Sequence, residues 1–313
     1  MIAKPPLSLG LCLTVFLLFP RTADAEPLLR SNDRVVFVGG TLIERARLYG
    51  HWEAALQVAA GREVTGLSFR NLGWSADSVF GDSRSYFGKP EEGRRRLAAT
   101  ISELKPTVVF LCYGTGEAMS VERGWTNEPG AAVASGAGLE QSLALFRSGY
   151  QKKIEAIQNA AAGSVREIVL IAPPPLENLG PPLPDQVGNN RTLARFRDAI
   201  ADLAEKNETR FVDLFAARGG DEFDGRVAVP PLTDNGVHPT AEGYAVLARA
   251  LLEALGYEAT EALSDGANQA ALREAITEKN RLFFHRWRPA NETYLFLFRK
   301  HEQGQNAKEI PMF

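Results

Sequence analysis

Residues 34–52 read RVVFVGGTLIERARLYGHW, and the fold follows from how this stretch divides. Val35, Val36, Phe37 and Val38 form a short apolar run rich in β-branched side chains, the pattern of a buried strand. Gly39 and Gly40 permit a sharp turn, because glycine carries no Cβ penalty at positive φ. Thr41 is placed to cap a helix in which Leu42, Ala46, Tyr49 and Glu53 share a face. A strand, a tight turn and a hydroxyl residue at a helix mouth is one way hydrolases present a nucleophile. Taken alone, the stretch reads better as simply the first strand–helix unit of a parallel sheet.

Moving outward, Gly61 closes the first helix and residues 64–70 read as a second strand, running into the turn-rich Asn71-Leu72-Gly73-Trp74-Ser75. Pro90 opens a helix carrying Leu97, Ile101 and Leu104, and Pro106 ends it. Residues 107–111 form a third, fully apolar strand, followed by Gly114-Thr115-Gly116-Glu117. The Gly/Ala-rich segment 119–138 is longer than a compact domain needs for a connection and suits a lid or rim. An amphipathic helix over 139–162, a strand at 167–171 ended by three prolines, and a helix through Leu193, Phe196, Ile200 and Leu203 come next. A fifth strand at 211–215 precedes Thr233-Asp234-Asn235-Gly236-Val237-His238-Pro239 and a helix with Ala245, Leu247, Ala248, Leu251 and Leu252. This alternation predicts a parallel sheet covered on both faces. Ligands bind beyond the carboxyl ends of such strands, where each polar, glycine-containing segment lies.

The chain has 313 residues, 45% hydrophobic and 23% charged, with a formal charge of −3, which suits one large α/β domain with an appendage. Lys4, the apolar run 7–19 and Ala23-Asp24-Ala25 have the layout of a cleavable secretory signal. The expected organisation is therefore a leader over 1–25, a domain over 26–258 and a C-terminal extension over 259–313, with secreted or periplasmic location. The apolar run is too short to span a bilayer comfortably, so no integral membrane segment is expected after cleavage. No basic stripe argues for nucleic acid. Cys12 leaves with the leader, and Cys112 sits alone in an apolar run as a buried small hydrophobe. No metal or cofactor spacing is present. A helix is expected over 268–288, and the tail with Tyr294, Phe296 and Phe298 either packs on the domain, the better reading, or docks a partner protein.

Together these segments resemble the SGNH or GDSL family of serine esterases and acylhydrolases, over roughly residues 34–255. That family has a Gly-Asp-Ser near the first strand, a glycine after the second, a Gly-x-Asn after the third and an Asp-x-x-His near the C-terminus. Val38-Gly39-Gly40-Thr41, Asn71-Leu72-Gly73-Trp74-Ser75, Tyr113-Gly114-Thr115-Gly116-Glu117 and the segment from Asp234 to Thr240 stand at these places, in order. The resemblance implies a flavodoxin-like three-layer sandwich with a five-stranded parallel sheet and a helical, aromatic C-terminal extension. It also implies an ester substrate, either a small molecule or a carbohydrate acetyl group. The first block and the tail around 280–289 are similar to a branch of secreted bacterial GDSL-like proteins whose members can be fused to haem modules. No Cys-x-x-Cys-His is present, so no haem is implied.

The departures bear on activity. Gly40 stands where the family has its first acid and Thr41 where it has serine. Gly116 stands where it has the asparagine that donates to the oxyanion, and Asn235 where it has the acid three residues before the histidine, with Asp234 one residue further away. Acyl transfer needs a hydroxyl activated by a base whose tautomer is fixed. The resemblance gives Thr41 the nucleophile's role, His238 the base's and Asp234 or Asn235 the orienter's. Gly73 and Thr41 supply backbone donors for the oxyanion, with Gly40, Asn71, Gly116 and Glu117 around the substrate. Thr41 carries a methyl that restricts χ1. Glu117 reads as a solvated loop carboxylate, or as an acid/base group if it is desolvated. Gly81-Asp82-Ser83 is a literal Gly-Asp-Ser without a preceding buried strand, so it reads as loop sequence, with Ser75, Ser78 and Ser83 as minor candidates for a substitute serine. Two readings stand: an ester hydrolase, or a catalytically degenerate domain of this fold that binds glycan or a partner.

Overall fold

The apolar run after Arg34 becomes a central strand because both of its faces find helices to cover them. The computed structural model describes residues 27–85, 88–121, 138–219, 230–259 and 266–313. The expected leader at 1–25 and nearly all of the 119–138 segment lie outside the described residues. Strands β1 (Arg34–Gly39), β2 (Ser68–Gly73), β3 (Val108–Cys112), β4 (Glu167–Ala172) and β5 (Arg210–Asp213) form one parallel sheet in the order β2-β1-β3-β4-β5. In register, Gly39 lies beside Gly73 on one side and Cys112 on the other.

Alternation along the strands divides the core into two layers. Val36, Val38, Val109, Leu111, Ile168 and Leu170 face helices α3 (Pro90–Leu104), α5 (Leu139–Ala160) and α6 (Val187–Lys206), with the short α4 (Thr115–Met119) directly after β3. Val35, Phe37, Val108, Phe110, Val169 and Ile171 face α2 (His51–Ala59) and α7 (Ala241–Ala254). Fully burying one such side chain is worth about 1.5–3 kcal/mol, so these two layers hold the sheet. The fold is a three-layer α/β sandwich whose strand order reverses at β1/β3, which is where ligand crevices open in this topology.

Three local readings differ from the structure. The expected first helix is broken: α1 (Thr41–Ala46) stops, Gly50 takes a left-handed φ of 69°, and α2 restarts. A Cβ on Gly50 would press on Ile276 and Thr277 of α8 (Ala267–Trp287), so the break makes room for the C-terminal helix. The second strand begins later and runs through the residues read as a turn. Gly66, at φ 72°, ends the preceding turn, and Asn71 satisfies the strand end by donating to the Ile43 carbonyl at 2.7 Å and accepting the Gly73 N–H at 2.8 Å. The Gly39-Gly40 turn uses space rather than positive φ. Gly40 has φ −81°, and a Cβ on Gly39 would meet Ile43 and the Cys112 carbonyl.

Helix α8 packs on α2 and β2. The tail continues through α9 (Glu292–Leu295) and α10 (Lys300–Gln303) and leaves Phe296 and Phe298 exposed. Among the described residues no helix is long and apolar enough to cross a membrane. Gly73 marks where β2 passes closest to α1: a Cβ there would run into the backbone of Ile43 and Glu44. Gly73→Ala is therefore expected to destabilise the fold by about 1–3 kcal/mol, read as a lowered midpoint in thermal or urea unfolding.

Candidate active site

Past the ends of β1, β3 and β4 the chain leaves a cavity of about 450 Å³. Its walls include Gly40 and Thr41 from the β1 turn, Ala76, Asp77 and Ser78 from the β2 loop, residues 112–117 after β3, and Asn235 and His238 from the loop before α7. Thr41, His238, Asn235, Gly40, Gly116 and Glu117 therefore share one cavity. Gly73 and Asn71 do not border it, and they bond each other through the Gly73 N–H and Asn71 Oδ1. The Gly73 N–H expected to face an oxyanion is already spent.

Ala76 borders the cavity where Gly73 does not. Its N–H donates to Thr41 Oγ1 at 3.1 Å, and its φ of 61° is a left-handed value that glycine adopts more readily. Sequence reasoning misses this residue, because an alanine offers no turn signal. Thr41 is the first residue of α1 rather than its cap, with Gly40 in the capping position. Its hydroxyl borders the cavity at the sheet's switch point.

The β2 loop is held from below by buried charge. Asp77 accepts from Arg84 Nε at 2.7 Å and from the Tyr113 hydroxyl at 2.8 Å, and Lys153 Nζ lies 3.6 Å away. Arg84 also donates to the Leu72 carbonyl, and Lys153 to the Ser78 carbonyl. Burial pulls the Lys153 ammonium down to about 8, opposed by Asp77. The literal Gly-Asp-Ser lies on this loop as a short 3₁₀ turn. Ser83 Oγ donates to the Ala76 carbonyl at 2.7 Å, and Ser78 Oγ donates to Asp82 at 2.5 Å. Both hydroxyls are committed to holding the loop.

Glu117 is buried, not solvated. Its two oxygens accept the Val79 and Gly114 N–H groups at 3.0 and 2.9 Å, tying the β3 turn to the β2 loop. Burial raises its pKa to about 7 against those hydrogen bonds. Gly116 is exposed, and a Cβ there would meet nothing within 4 Å. The missing asparagine side chain leaves open space at the cavity wall. Cys112 borders the cavity, with burial pushing its thiol pKa up.

The loop carrying His238 is anchored by Glu177, a residue the sequence did not single out. Its carboxylate accepts from the Leu232 and Thr233 N–H groups and from Thr233 Oγ1. At the ring, Asn235 Oδ1 accepts two backbone N–H groups, from Val237 at 3.0 Å and His238 at 2.9 Å. Those donors fix which end of the amide is oxygen. The opposite end, Nδ2, therefore lies toward His238 Nδ1, at 3.2 Å. An amide NH₂ has only protons to offer, so Nδ1 must accept and the ring proton sits on Nε2. Asp234 Oδ1 is 3.8 Å from Nδ1, too far for a hydrogen bond, and its other oxygen is held by Arg45 at 2.7 Å. Burial, with Arg45 close by, lowers the His238 pKa against the opposing pull of Asp234. The ring is therefore neutral at pH 7, with its proton on Nε2 and its Nδ1 occupied by the Asn235 amide.

Among the described residues no cluster of His, Cys, Asp and Glu is arranged to hold a metal ion. The cavity offers a hydroxyl, a backbone N–H and an imidazole to one ligand, which suits an acyl ester or its carboxylate. Known proteins of the same architecture include a variant of Axe2, an acetyl xylan esterase from Geobacillus stearothermophilus, at TM-score 0.51 and 20% identity over 74% of this chain and 97% of that one. LAE5, an alpha/beta hydrolase enzyme from the metagenome of Lake Arreo, Spain, aligns at TM-score 0.50 and 17% identity over 76% and 99%. A gut microbial diltiazem-metabolizing enzyme aligns at TM-score 0.52 and 16% identity, over 74% of this chain and 48% of the other. At these identities the likeness is one of fold. No curated protein matches the sequence significantly. The GDSL-like Lipase/Acylhydrolase family pattern matches residues 36–246, more than half of the sequence, and the chain belongs to that family.

Proposed function

We propose that this chain is an ester hydrolase acting on small O-acyl groups, with carbohydrate acetyl esters as the first class to test, and that its base step is throttled by Asn235. The observation that carries the reading is one cavity holding the Thr41 hydroxyl, the Ala76 N–H and His238. Thr41 Oγ1 attacks the ester carbonyl and gives its proton to His238, and as that oxygen bonds to carbon the Ala76 N–H turns from it to the oxyanion. The ester C–O bond then breaks, His238 protonates the departing alcohol, and water attacking the acyl-threonine by the same route releases the acid and restores the Thr41 hydroxyl. To serve as base, the ring must shift its proton from Nε2 to Nδ1. That shift sets Nδ1–H against the Asn235 NH₂, donor against donor. In a serine protease, an asparagine replacing the orienting acid lowers kcat by about 10⁴ through this wrong tautomer. The space at Gly116 removes a second source of oxyanion stabilisation, worth about 3–4 kcal/mol per donor where it has been measured.

A second reading rests on the same bond. An Nε2–H ring, a hydroxyl and an amide N–H form an unreactive set for holding a carboxylate or an acylated sugar. The acetyl xylan esterase likeness favours carbohydrate as the ligand under either reading. A secreted location rests on the expected leader at 1–25.

The two readings separate in the hydrolysis of aryl acetates and acetylated xylo-oligosaccharides. Wild type is expected to turn over slowly, with Thr41→Ala and His238→Ala abolishing the activity. Asn235→Asp supplies a carboxylate to Nδ1–H and is expected to raise kcat/KM by about 10²-fold or more. Gly116→Asn, added to it, is expected to raise the rate again, since the open space accepts the side chain. If wild type, Asn235→Asp and Thr41→Ser are all inert while the sugar binds, the binding reading replaces the hydrolase.

The pH profile gives a separate check. A base must be neutral to act, and the depressed His238 pKa keeps it neutral below the ordinary histidine value of about 6.5. The acid limb of kcat/KM is expected below that value. Asn235→Asp places a negative charge beside the ring and favours the imidazolium, so the limb is expected to move to higher pH.

A further inference from the structure

The C-terminal helix ends beside the cavity loop rather than at a distance from it. Arg288, which closes α8, donates from Nη1 to Glu44 Oε2 at 2.7 Å. The same Glu44 oxygen accepts the Ser75 N–H at 2.7 Å. The Arg288 guanidinium carbon lies 3.7 Å from the centre of the Trp74 ring, and Trp287 meets that ring edge-on at 5.8 Å. Glu44 is three residues past Thr41 on α1, and Trp74 and Ser75 directly precede Ala76. One arginine from the extension thus touches both elements that bring the Thr41 hydroxyl and the Ala76 N–H together.

We propose that Arg288 is a positioning residue for the Ser75–Ala76 segment: with Glu44 and Trp74 it forms a brace through which the C-terminal extension fixes the Ala76 N–H against Thr41 Oγ1. This rests on the hydrolase reading for its kinetic consequence but not for its structural one. The contacts are of a kind suited to the task. A guanidinium has planar donors and a flat face, so it can pair with a carboxylate along its edge while stacking on an indole. A lysine keeps only the charge. Glu44 and Arg288 are both largely shielded, with side chains 16% and 26% exposed, so solvent screens the pair less than it would an exposed surface pair. Ala76 itself is exposed and in a left-handed conformation, so local backbone preference does not hold it in place. Its carbonyl is tied by Ser83, and its N–H orientation depends on how Ser75 is held.

A purely structural role for Arg288 would lower stability and leave the loop and kcat alone. Two readouts distinguish the cases. The first needs no turnover: backbone amide hydrogen exchange at Ser75 and Ala76, measured by NMR in wild type, Arg288→Ala, Arg288→Lys, Glu44→Gln and Arg281→Ala. Arg281 sits on the same helix, is exposed and pairs with Glu278, so its variant is the control. Exchange at both amides is expected to quicken at least about tenfold in Arg288→Ala and Glu44→Gln, less in Arg288→Lys, and to stay at the wild-type rate in Arg281→Ala. The second is kinetic. Misplacing a catalytic group by about 1 Å can cost 10²-fold in rate. Arg288→Ala is accordingly expected to lower kcat about 10–100-fold with KM within about twofold, and added guanidinium ion at millimolar concentration is expected to restore part of it. If wild type shows no turnover, the hydrolase reading fails and the exchange data alone decide the brace. Unchanged exchange at Ser75 and Ala76 in a folded Arg288→Ala overturns the brace whatever the activity, as does a normal kcat in an active enzyme. If Arg288→Ala does not fold, Arg288→Lys and Glu44→Gln carry the same comparison.

Discussion

A buried guanidinium holds the working end of this molecule together. Arg84 is fully enclosed, and it donates at once to Asp77, to the Leu72 carbonyl of β2 and, at 3.4 Å, to the Gly39 carbonyl of β1. An unpaired charge in that position would be untenable, and removing one partner of such a pair typically costs about 3–5 kcal/mol. The pairing therefore obliges the β2 loop to fold back over the ends of β1 and β2, and that return brings Ala76 to Thr41. Tyr113 and Lys153 extend the network to β3 and α5, and Glu117 adds two backbone bonds from the β3 turn. The cavity is thus rigid on its sheet side, with neutral donors on top and charge locked beneath.

Rigidity makes the Asn235–His238 contact decisive. The loop that carries both residues is pinned by Glu177, and the Asn235 oxygen is pinned by two backbone N–H groups. The amide cannot flip to offer an oxygen to the ring without losing both bonds. Asp234 cannot approach without leaving Arg45. The loop thus holds His238 with its ring proton on Nε2, which under the hydrolase reading is the wrong nitrogen for a base. Asn235 fixes which tautomer the resting ring adopts.

Much of the architecture was legible because the sheet is parallel and doubly covered. Runs such as 108–112 and 168–172 are unbroken and apolar, and helices such as α5 and α7 show a clear periodicity. The second strand was misplaced because Asn71 and Gly73 are turn formers by propensity, and only the Asn71 side-chain bonds, which depend on α1, turn them into a strand end. The break at Gly50 was hidden for a similar reason, since its cause is α8, more than two hundred residues later. At the site, residue types that announce chemistry were visible by their setting after strands. Ala76, Arg45, Arg84 and Glu177 were not, because each matters through contacts with residues distant in sequence. Glu117 was seen but given the wrong environment: a carboxylate after a strand looks solvated until two backbone N–H groups are found to enclose it.

The chemistry open to the cavity turns on where the ring proton of His238 resides, and ring ¹⁵N chemical shifts of the labelled protein report that directly. At pH 7 to 8 they are expected to show Nδ1 unprotonated and Nε2 protonated, with imidazolium appearing only below the ordinary histidine pKa. A ring protonated at Nδ1 would contradict it, because His238 would then already be poised as a base and Asn235 would not be the residue that restrains it.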